Sequence, residues 1–330
     1  MQLFRTAARS AAVLLCLLWL GGCASRLPVS EIDRLADSLP VFAELKDVPF
    51  YPQELYQCGP AALATVLVHR DRSVTPDSLV PQLFIPERHG SLQIEMKVAT
   101  RRQGLPAFAG PDSLDGLLAE IAAGRPVIVL QNLGLELLPQ WHYAVAVGYD
   151  LAEQMLILRS GTEKRLLTPL GLFERTWERS GRWSLLALPP NELPLQIEPA
   201  TAVRDALDLE QTHPDAARQT LLAASRRWPD DYLAQMAAGN AELAAGQPTG
   251  AGAAYQRALK IRPDAAEAWN NLAYSLDARG CDRPARQAID CALTLAPDNP
   301  AIVQSHRELS DGQPVSSTQC QAIPLCPTAP

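Results

Sequence analysis

The chain has 330 residues, and its 29 Lys and Arg residues against 36 Asp and Glu residues give a net charge of −7. At roughly 150 residues per domain this length predicts two domains, and a hydrophobic content of 47% is typical of a globular protein rather than a disordered one. The acidic balance argues against the basic surface that nucleic acids require, so we expect no nucleic-acid partner.

The first 22 residues have the composition of a signal peptide. Two arginines precede a short apolar core at residues 11–20, and the sequence Leu20-Gly21-Gly22-Cys23 follows. That sequence resembles a bacterial lipobox, in which the cysteine is lipidated and becomes the mature N-terminus. With Ala24 next, the resemblance implies an outer-membrane lipoprotein facing the periplasm, where disulfides can persist. An ordinary cleaved signal peptide followed by a chance cysteine is the alternative.

Composition then divides the rest of the chain into five segments. We expect a lipidated N-terminus and spacer at 23–46, a first domain at 47–190, a proline-containing linker at 191–198, an alanine-rich second domain at 199–314 and a polar tail at 315–330.

The first domain contains a cysteine at the start of an expected helix. The sequence from Gln57 to Leu67 predicts a buried helix beginning near Cys58, because Pro60 suits the first turn and small apolar residues follow. The unpaired N–H groups and the dipole at a helix N-terminus stabilise a thiolate. We therefore expect Cys58 to have a lowered pKa and to act as a nucleophile. From its position alone, a small buried cysteine that packs as an apolar residue is equally open.

A nucleophilic cysteine needs a base, and His142 is the histidine best placed to supply one. It opens the apolar strand HYAVAVGYD, which a turn joins to a second strand, QMLILRSG. His69 lies at the other end of the Cys58 helix, about 16 Å away at a rise of about 1.5 Å per residue. The remaining histidines fall in a polar loop or in the second domain.

These segments resemble the bacteriocin-processing, double-glycine-type cysteine peptidases and their stand-alone relatives. The resemblance rests on three motifs: QCGPAAL at 57–63, GRPVIVL at 124–130 and HYAVAVGYD at 142–150. It covers residues 48–188 and implies an α+β papain-like fold, in which a helix carrying Cys58 packs on an antiparallel sheet carrying His142. It also implies a second helix within 89–105 and a closing helix and strand within 172–188.

The resemblance implies acyl transfer as the chemistry. Cys58 would attack a carbonyl group, and His142 would take its proton and return it to the leaving amine. The backbone N–H of Cys58 and the side chain of Gln53 would form the oxyanion hole. Gln53 lies five residues before the cysteine, whereas the family pattern has the glutamine six residues before it.

The third member of the family's catalytic set is missing at the expected place. The family has an Asp about sixteen residues after the histidine, where this chain has Leu158. Ser160 and Asn132 are candidates for orienting His142, and Asp150 falls in the turn at the far end of the hairpin. Two interpretations stay open: a cysteine peptidase with a substitute orienting group, or an inactive peptidase-like scaffold that binds peptides or proteins.

The second domain contains a repeat. Pro229, Pro263 and Pro297 are spaced 34 residues apart, which is the period of tetratricopeptide repeats. We expect an all-α array in which alanines let paired helices approach closely. Such arrays bind proteins, here through residues such as Asn270 and Asn271, although a short array can also serve as a structural cap.

The cysteines of the second domain and tail are expected to form disulfides. There is no Cys-x-x-Cys, no His-Glu-x-x-His and no glycine-rich nucleotide motif, so we expect neither a metal nor a cofactor. Cys281 and Cys291 would lie about 15 Å apart on one helix, beyond the roughly 7 Å that a disulfide spans. Each is therefore expected to pair with a tail cysteine, Cys320 or Cys326.

Overall fold

The structure is a computed structural model that describes residues 26–52, 57–85, 87, 90–310, 320 and 322–327. The predicted lipobox with Cys23 lies outside the described residues. The chain forms two compact units: the first comprises the chain up to Leu92 with Ala109–Leu186, and the second comprises Gln93–Phe108 with the chain from Ala187 onward.

Both helices and strands occur up to residue 187, and the described elements after it are all helices. The first group is α1 (Val29–Ser38), β1 (Phe42–Glu44), α2 (Cys58–His69), α3 (Pro76–Leu83), α4 (Gln93–Arg102), β2 (Ala107–Ala109), α5 (Leu114–Ala122), β3 (Val127–Asn132), β4 (Trp141–Asp150), β5 (Met155–Ser160), β6 (Glu163–Pro169), α6 (Leu170–Glu178) and β7 (Ser184–Ala187). The second group is α7 (Pro199–Leu207), α8 (Pro214–Arg227), α9 (Tyr232–Ala244), α10 (Pro248–Ile261), α11 (Ala266–Asp277), α12 (Asp282–Leu295) and α13 (Pro300–Ser310).

The strands form one sheet in the order β2-β7-β3-β4-β5-β6, with β1 beside β4. Strand β4 is the longest, and its two halves have different neighbours on one edge. Its first half pairs antiparallel with β3 and its last three residues pair antiparallel with β1. Every residue of β3 is buried, as are Tyr143–Tyr149 of β4, because these strands are almost entirely apolar.

Helix α2 packs against β4 and β3. It is buried continuously from Gly59 to Leu67, which its uninterrupted run of small and apolar residues permits. Pro60 lies in the first turn, where a missing N–H breaks no intrahelical hydrogen bond. The helix begins at Cys58, as the sequence predicts, and so its first residue lies at one end of the sheet's core.

A close approach fixes the position of β1. A side chain at Gly148 would place its Cβ 2.7 Å from the carbonyl oxygen of Ala43 and 3.0 Å from Cα of Glu44. The β4–β5 pairing shifts register at this point, between Ala146 and Gly148. Glycine therefore lets β1 lie against β4 beside a bulge.

The buried Arg159 of β5 ties the sheet to the chain segment that leads toward α2. Its guanidinium donates hydrogen bonds to the carbonyl oxygens of Val48 (3.3 Å), Leu45 (3.4 Å) and Lys164 (2.7 Å). Burial lowers the pKa of this guanidinium. The three carbonyl partners compensate for the lost hydration, which is what a buried charge requires.

The second unit is built from helices, and the predicted all-α repeat region is confirmed. Helices α8, α10 and α12 each end two residues before one of the three repeated prolines. Gly246 and Gly280, also 34 residues apart, follow α9 and α11 with φ of 68° and 69°. These left-handed positions favour glycine and end a helix without strain. The repeats are therefore pairs of helices in which a glycine follows the first helix and a proline follows the second.

Helix α4 belongs to this second unit, whereas the sequence-based first domain, 47–190, included it. Arg101 of α4 forms an ion pair with Asp208. Gly104, which follows α4 with φ of 71°, lies against the ring of His213. The contacts of this segment, rather than its place in the sequence, decide which unit it joins.

Two disulfides tie the tail to the last repeat. Cys281 bonds to Cys320 with a Cα separation of 5.6 Å, and Cys291 bonds to Cys326 with a Cα separation of 5.7 Å. This is the pairing with the tail that the helical spacing of Cys281 and Cys291 favours. No helix among the described residues is long and apolar enough to cross a membrane.

Removing one of these disulfides is expected to destabilise the helical unit. The two bonds close loops with sequence separations of 39 and 35 residues, and loops of this size correspond to about 2–4 kcal/mol each. Cys281→Ser with Cys320→Ser should lower the free energy of unfolding of the helical unit, measured by urea titration, by that amount. Cys58→Ser, which removes a free thiol, should leave it unchanged. Non-reducing peptide mapping that joins Cys281 to Cys291 would contradict the pairing.

Candidate active site

Cys58 is the first residue of α2 and a free, partly buried thiol. Gly59 and Pro60 behind it are buried, so the helix N-terminus is held within the core while the thiol keeps partial access to solvent. The thiol hydrogen-bonds with the backbone of Tyr143 on β4. Cys58 therefore lies beside β4, at Tyr143, which is the residue that follows His142 in that strand.

The environment of the thiol raises its pKa, which corrects the expectation from the helix N-terminus. Burial has the largest effect and disfavours the thiolate. Hydrogen bonds with the backbone of Tyr143, Gly59 and Cys58 itself act in the opposite direction but are smaller. The expected stabilisation by the helix N-terminus is present, and desolvation outweighs it.

His142 lies near the start of β4 and contacts Ser160, the last residue of β5. The imidazole Nε2 is 2.8 Å from Ser160 Oγ. Val145 pairs with Arg159, and continuing this register places Ser160 opposite Ala144. His142 and Ser160 are therefore diagonal neighbours on one face of the sheet, within reach of each other's side chains.

The contact with Ser160 engages one nitrogen of the ring. Because Nε2 meets the hydroxyl, Nδ1 is the nitrogen that this contact leaves unused. In the tautomer with hydrogen on Nε2, Ser160 Oγ is the acceptor. Burial lowers the pKa of His142 and raises the pKa of Cys58, so both groups are shifted toward their neutral forms.

Strand register explains why Leu158 does not meet the imidazole. Leu158, sixteen residues after His142, pairs with Ala146 and lies two residues deeper in the sheet than Ser160. Ser160, one of the two candidates from the sequence and 6% exposed, is the residue of β5 that contacts the ring.

Asn132, the other predicted orienting residue, serves a different role. Its Oδ1 accepts hydrogen bonds from the backbone N–H of Gly134 at 3.0 Å and of Gln140 at 2.9 Å. Its Nδ2 lies 3.5 Å from the carbonyl oxygen of Leu135. These bonds hold the connection between β3 and β4, so the amide is not directed at His142.

Tyr143 is part of the site, and the sequence analysis did not include it. Its hydroxyl donates to the carbonyl oxygen of Ser91 at 3.3 Å, and its ring packs edge-on against Trp183 at 5.6 Å between centroids. Burial, together with the charge of Cys58, raises the pKa of Tyr143. The sequence could have indicated Tyr143, because it directly follows His142 and successive side chains of a strand face opposite sides.

Two further predictions have different outcomes. Gln53, the expected oxyanion donor, lies outside the described residues. Asp150 lies in the turn at the far end of β4, as expected, where its carboxylate accepts from the backbone N–H of Glu153 at 3.0 Å. Within the described ranges no group of three His, Cys, Asp or Glu side chains could hold a metal ion.

The thiol should be less reactive at low pH than a free cysteine. Because burial raises the pKa of Cys58, its thiolate fraction is smaller at every pH below that pKa than for a free thiol of pKa about 8.5. We expect iodoacetamide to alkylate Cys58 with a midpoint above that of glutathione, measured by mass spectrometry from about pH 6 to 10. A midpoint below that of glutathione would mean that an ion pair with His142 outweighs burial.

Comparison with known families agrees with this architecture. Residues 45–185 match the model of the Peptidase_C39 like family, and residues 203–266 and 237–300 match that of the tetratricopeptide repeat. A crystal structure of a Bacillus anthracis protein assigned as a C39-like peptidase is similar at 17% identity and a TM-score of 0.38, over 44% of this chain and 97% of that one. A search of curated proteins found no match. The chain therefore carries a C39-like peptidase domain followed by tetratricopeptide repeats.

Proposed function

We propose that this protein is a cysteine peptidase that hydrolyses peptide bonds by acyl transfer to Cys58. The hydrogen bond between His142 and Ser160 carries the proposal, because it holds the imidazole in place with Nδ1 available to a thiol at the start of α2. A cysteine at a helix N-terminus beside an oriented histidine is the arrangement that nucleophilic catalysis needs.

The reaction begins from the neutral pair. Cys58 Sγ attacks the carbonyl carbon of the substrate while its proton passes to Nδ1 of His142. The backbone N–H of Cys58 and the side chain of Gln53 stabilise the oxyanion. Collapse of the tetrahedral intermediate breaks the C–N bond, and His142 gives the proton to the leaving amine. Water, deprotonated by His142, then hydrolyses the thioester and restores the thiol.

The location proposed for the protein is the periplasmic face of the bacterial outer membrane, with a lipid on Cys23 as the anchor. The lipobox sequence supports this, and the two disulfides are suited to an oxidising compartment. Cys23→Ala should move the protein from the membrane fraction to the soluble fraction of lysed cells. Unchanged membrane attachment would contradict lipidation at Cys23.

The repeat domain is proposed to bind a protein partner or the protein substrate. Tetratricopeptide repeats commonly do so, and a polar row is present on the first helices of two repeats. Asn271 Nδ2 donates to Asn240 Oδ1 at 3.0 Å, and Asn270 Nδ2 donates to Asn271 Oδ1 at 3.1 Å. These amides are suited to hydrogen bonding with a peptide backbone.

A second candidate is a non-catalytic scaffold that uses the same fold to bind peptides. The raised pKa of Cys58 favours it, as does the contact of His142 with a serine hydroxyl, since the resemblance implies a carboxylate as the orienting group. A hydroxyl orients an imidazole but contributes no charge to stabilise the imidazolium that forms during proton transfer. The peptidase proposal predicts that the reactivity of Cys58 depends on His142, and the scaffold proposal predicts that it does not.

Labelling with a peptidyl acyloxymethyl ketone separates the two. A peptidase should form a covalent thioether at Cys58 under conditions in which iodoacetamide reacts slowly, because His142 assists attack by a bound electrophile. His142→Ala should suppress this labelling, whereas His69→Ala should not. A scaffold should label slowly with both reagents, and both variants should then behave like the unmodified protein.

A further inference from the structure

The connection between β3 and β4 exposes a group of large apolar side chains. We call residues Leu133–Trp141 the apolar hairpin. The exposed fractions are 50% for Leu133, 67% for Leu135, 92% for Leu137, 74% for Leu138 and 54% for Trp141. Soluble proteins rarely leave large apolar side chains contiguous and exposed unless they contact something.

The apolar hairpin has a fixed backbone. Leu133 N–H donates to the carbonyl oxygen of Gln140 at 2.9 Å, and Leu138 N–H donates to that of Leu135 at 3.1 Å. Arg179 Nη1 donates to the carbonyl oxygen of Gly134 at 2.7 Å. With the bonds from Asn132 these contacts preorganise the leucines, so binding a ligand there orders little additional chain.

The apolar hairpin is continuous with the candidate active site. It continues β3 and β4 beyond the end of the sheet, and its last residue, Trp141, directly precedes His142. Gln131, just before its base, is the β3 partner of His142. A chain bound with its carbonyl group at Cys58 would therefore have neighbouring residues within reach of the hairpin.

We propose that the apolar hairpin binds large apolar side chains of the peptide substrate close to the bond that is cleaved, and so determines specificity. This inference rests on the proposed peptidase function and narrows its substrate class to peptides with leucine-like residues beside the scissile bond. Desolvation of the leucines supplies the discrimination against polar residues at those positions.

A membrane is disfavoured as the occupant of the apolar hairpin, because the hairpin and the chain that follows the proposed lipid site lie at opposite ends of β4. Leu27, four residues after the proposed lipid site at Cys23, is held by the side chain of Gln154 in the β4–β5 turn, with Leu27 N–H 2.9 Å from Oε1. The ten residues of β4, about 34 Å at about 3.4 Å per residue, separate that turn from the apolar hairpin. The exposed carboxylate of Glu136 at the tip also opposes insertion into a bilayer.

The test uses the full-length protein in detergent and two sets of quenched fluorogenic peptides. In both sets the residues at the centre are randomised. The residues that flank the centre are leucines in one set and serines in the other. Leu135→Gln with Leu138→Gln replaces two exposed side chains and should leave the fold intact. Leu167→Gln, on the edge strand β6 at 48% exposure, is the matched control. We expect the hairpin variant to lose about tenfold or more in kcat/KM for the leucine peptides, with less than about a twofold change for the serine peptides.

A binding measurement keeps this inference separate from the peptidase proposal. Cys58→Ala protein should bind the leucine peptides more tightly than the serine peptides by fluorescence anisotropy, and the hairpin substitutions should remove that preference. If the preference is present while the unsubstituted protein cleaves neither set, the hairpin inference stands and the peptidase proposal fails. Equal effects on both peptide sets, or no effect, would overturn the hairpin inference. The hairpin inference would also be overturned if the hairpin substitutions abolished dimerisation or binding to lipid vesicles and left the discrimination between the two peptide sets unchanged.

Discussion

His142→Ala is expected to lower peptide turnover by about 10²–10⁴-fold, the usual contribution of a general acid–base group. The variant removes the group that is proposed to accept the thiol proton, and burial of Cys58 opposes loss of that proton without an acceptor. Turnover of a fluorogenic peptide measured near pH 7, where both groups of the unsubstituted protein are neutral, checks the prediction. Added imidazole should restore part of the lost rate, because it can enter the space that the ring leaves.

His69→Ala is the matched control for this experiment. His69 is the last residue of α2, eleven residues after Cys58 on the same helix, and burial also lowers its pKa. Its loss should leave turnover within about twofold, since general acid–base catalysis requires hydrogen-bond reach of the reacting proton. If the two variants lose activity equally, the effect of His142 is structural and the catalytic assignment is wrong.

The parts of the fold that depend on local sequence could be predicted. The start of α2 at Cys58 follows from proline in the first turn and a continuous apolar run, and the β4–β5 hairpin follows from two apolar segments joined by a turn. The 34-residue period predicted the repeats, since each copy carries its own helix-ending proline. These features need only neighbouring residues to specify them.

The features that the sequence analysis missed depend on contacts between distant segments. The pKa of Cys58 is set mainly by how deeply α2 is buried, and helix position alone predicts only the smaller, opposing effect. The position sixteen residues after His142, where the resemblance places an Asp, is occupied by Leu158. Strand register instead brings Ser160, one of the two candidates from the sequence, to the ring. Asn132 was a reasonable candidate from its place at a strand end, but backbone groups of the apolar hairpin compete for its amide.

The contacts of Gln93–Phe108 show the same dependence on distant residues. The segment lies between two parts of the first unit along the chain, and the family match at 45–185 includes it. Its contacts nevertheless include the ion pair of Arg101 with Asp208 and the approach of Gly104 to the ring of His213. Arg101 and Asp208 are 107 positions apart, and no local pattern in the segment predicts their contact.

Ser160→Asp is expected to activate Cys58, and Ser160→Ala to do the reverse. A carboxylate at this position accepts a hydrogen bond from Nε2, fixes the tautomer with Nδ1 free, and raises the pKa of His142 from its lowered value by charge attraction. A protonated His142 in turn favours the thiolate of Cys58. Iodoacetamide alkylation near pH 6 should therefore become faster than in the unsubstituted protein, and the alkylation midpoint should move to lower pH.

Ser160→Ala leaves Nε2–H of a partly buried ring without its partner, which costs about 1–3 kcal/mol. If that cost falls on the productive orientation of His142, turnover should drop by roughly 5–150-fold. Ser184→Ala is the matched control, because Ser184 is also a buried serine of the sheet and donates to the carbonyl oxygen of Pro111 at 2.6 Å. Its loss should lower stability without moving the pH profile of Cys58. A Ser160→Asp protein that folds but keeps the original alkylation midpoint would show that the serine does not orient the base, since a merely structural role predicts no change in the titration of His142 and Cys58.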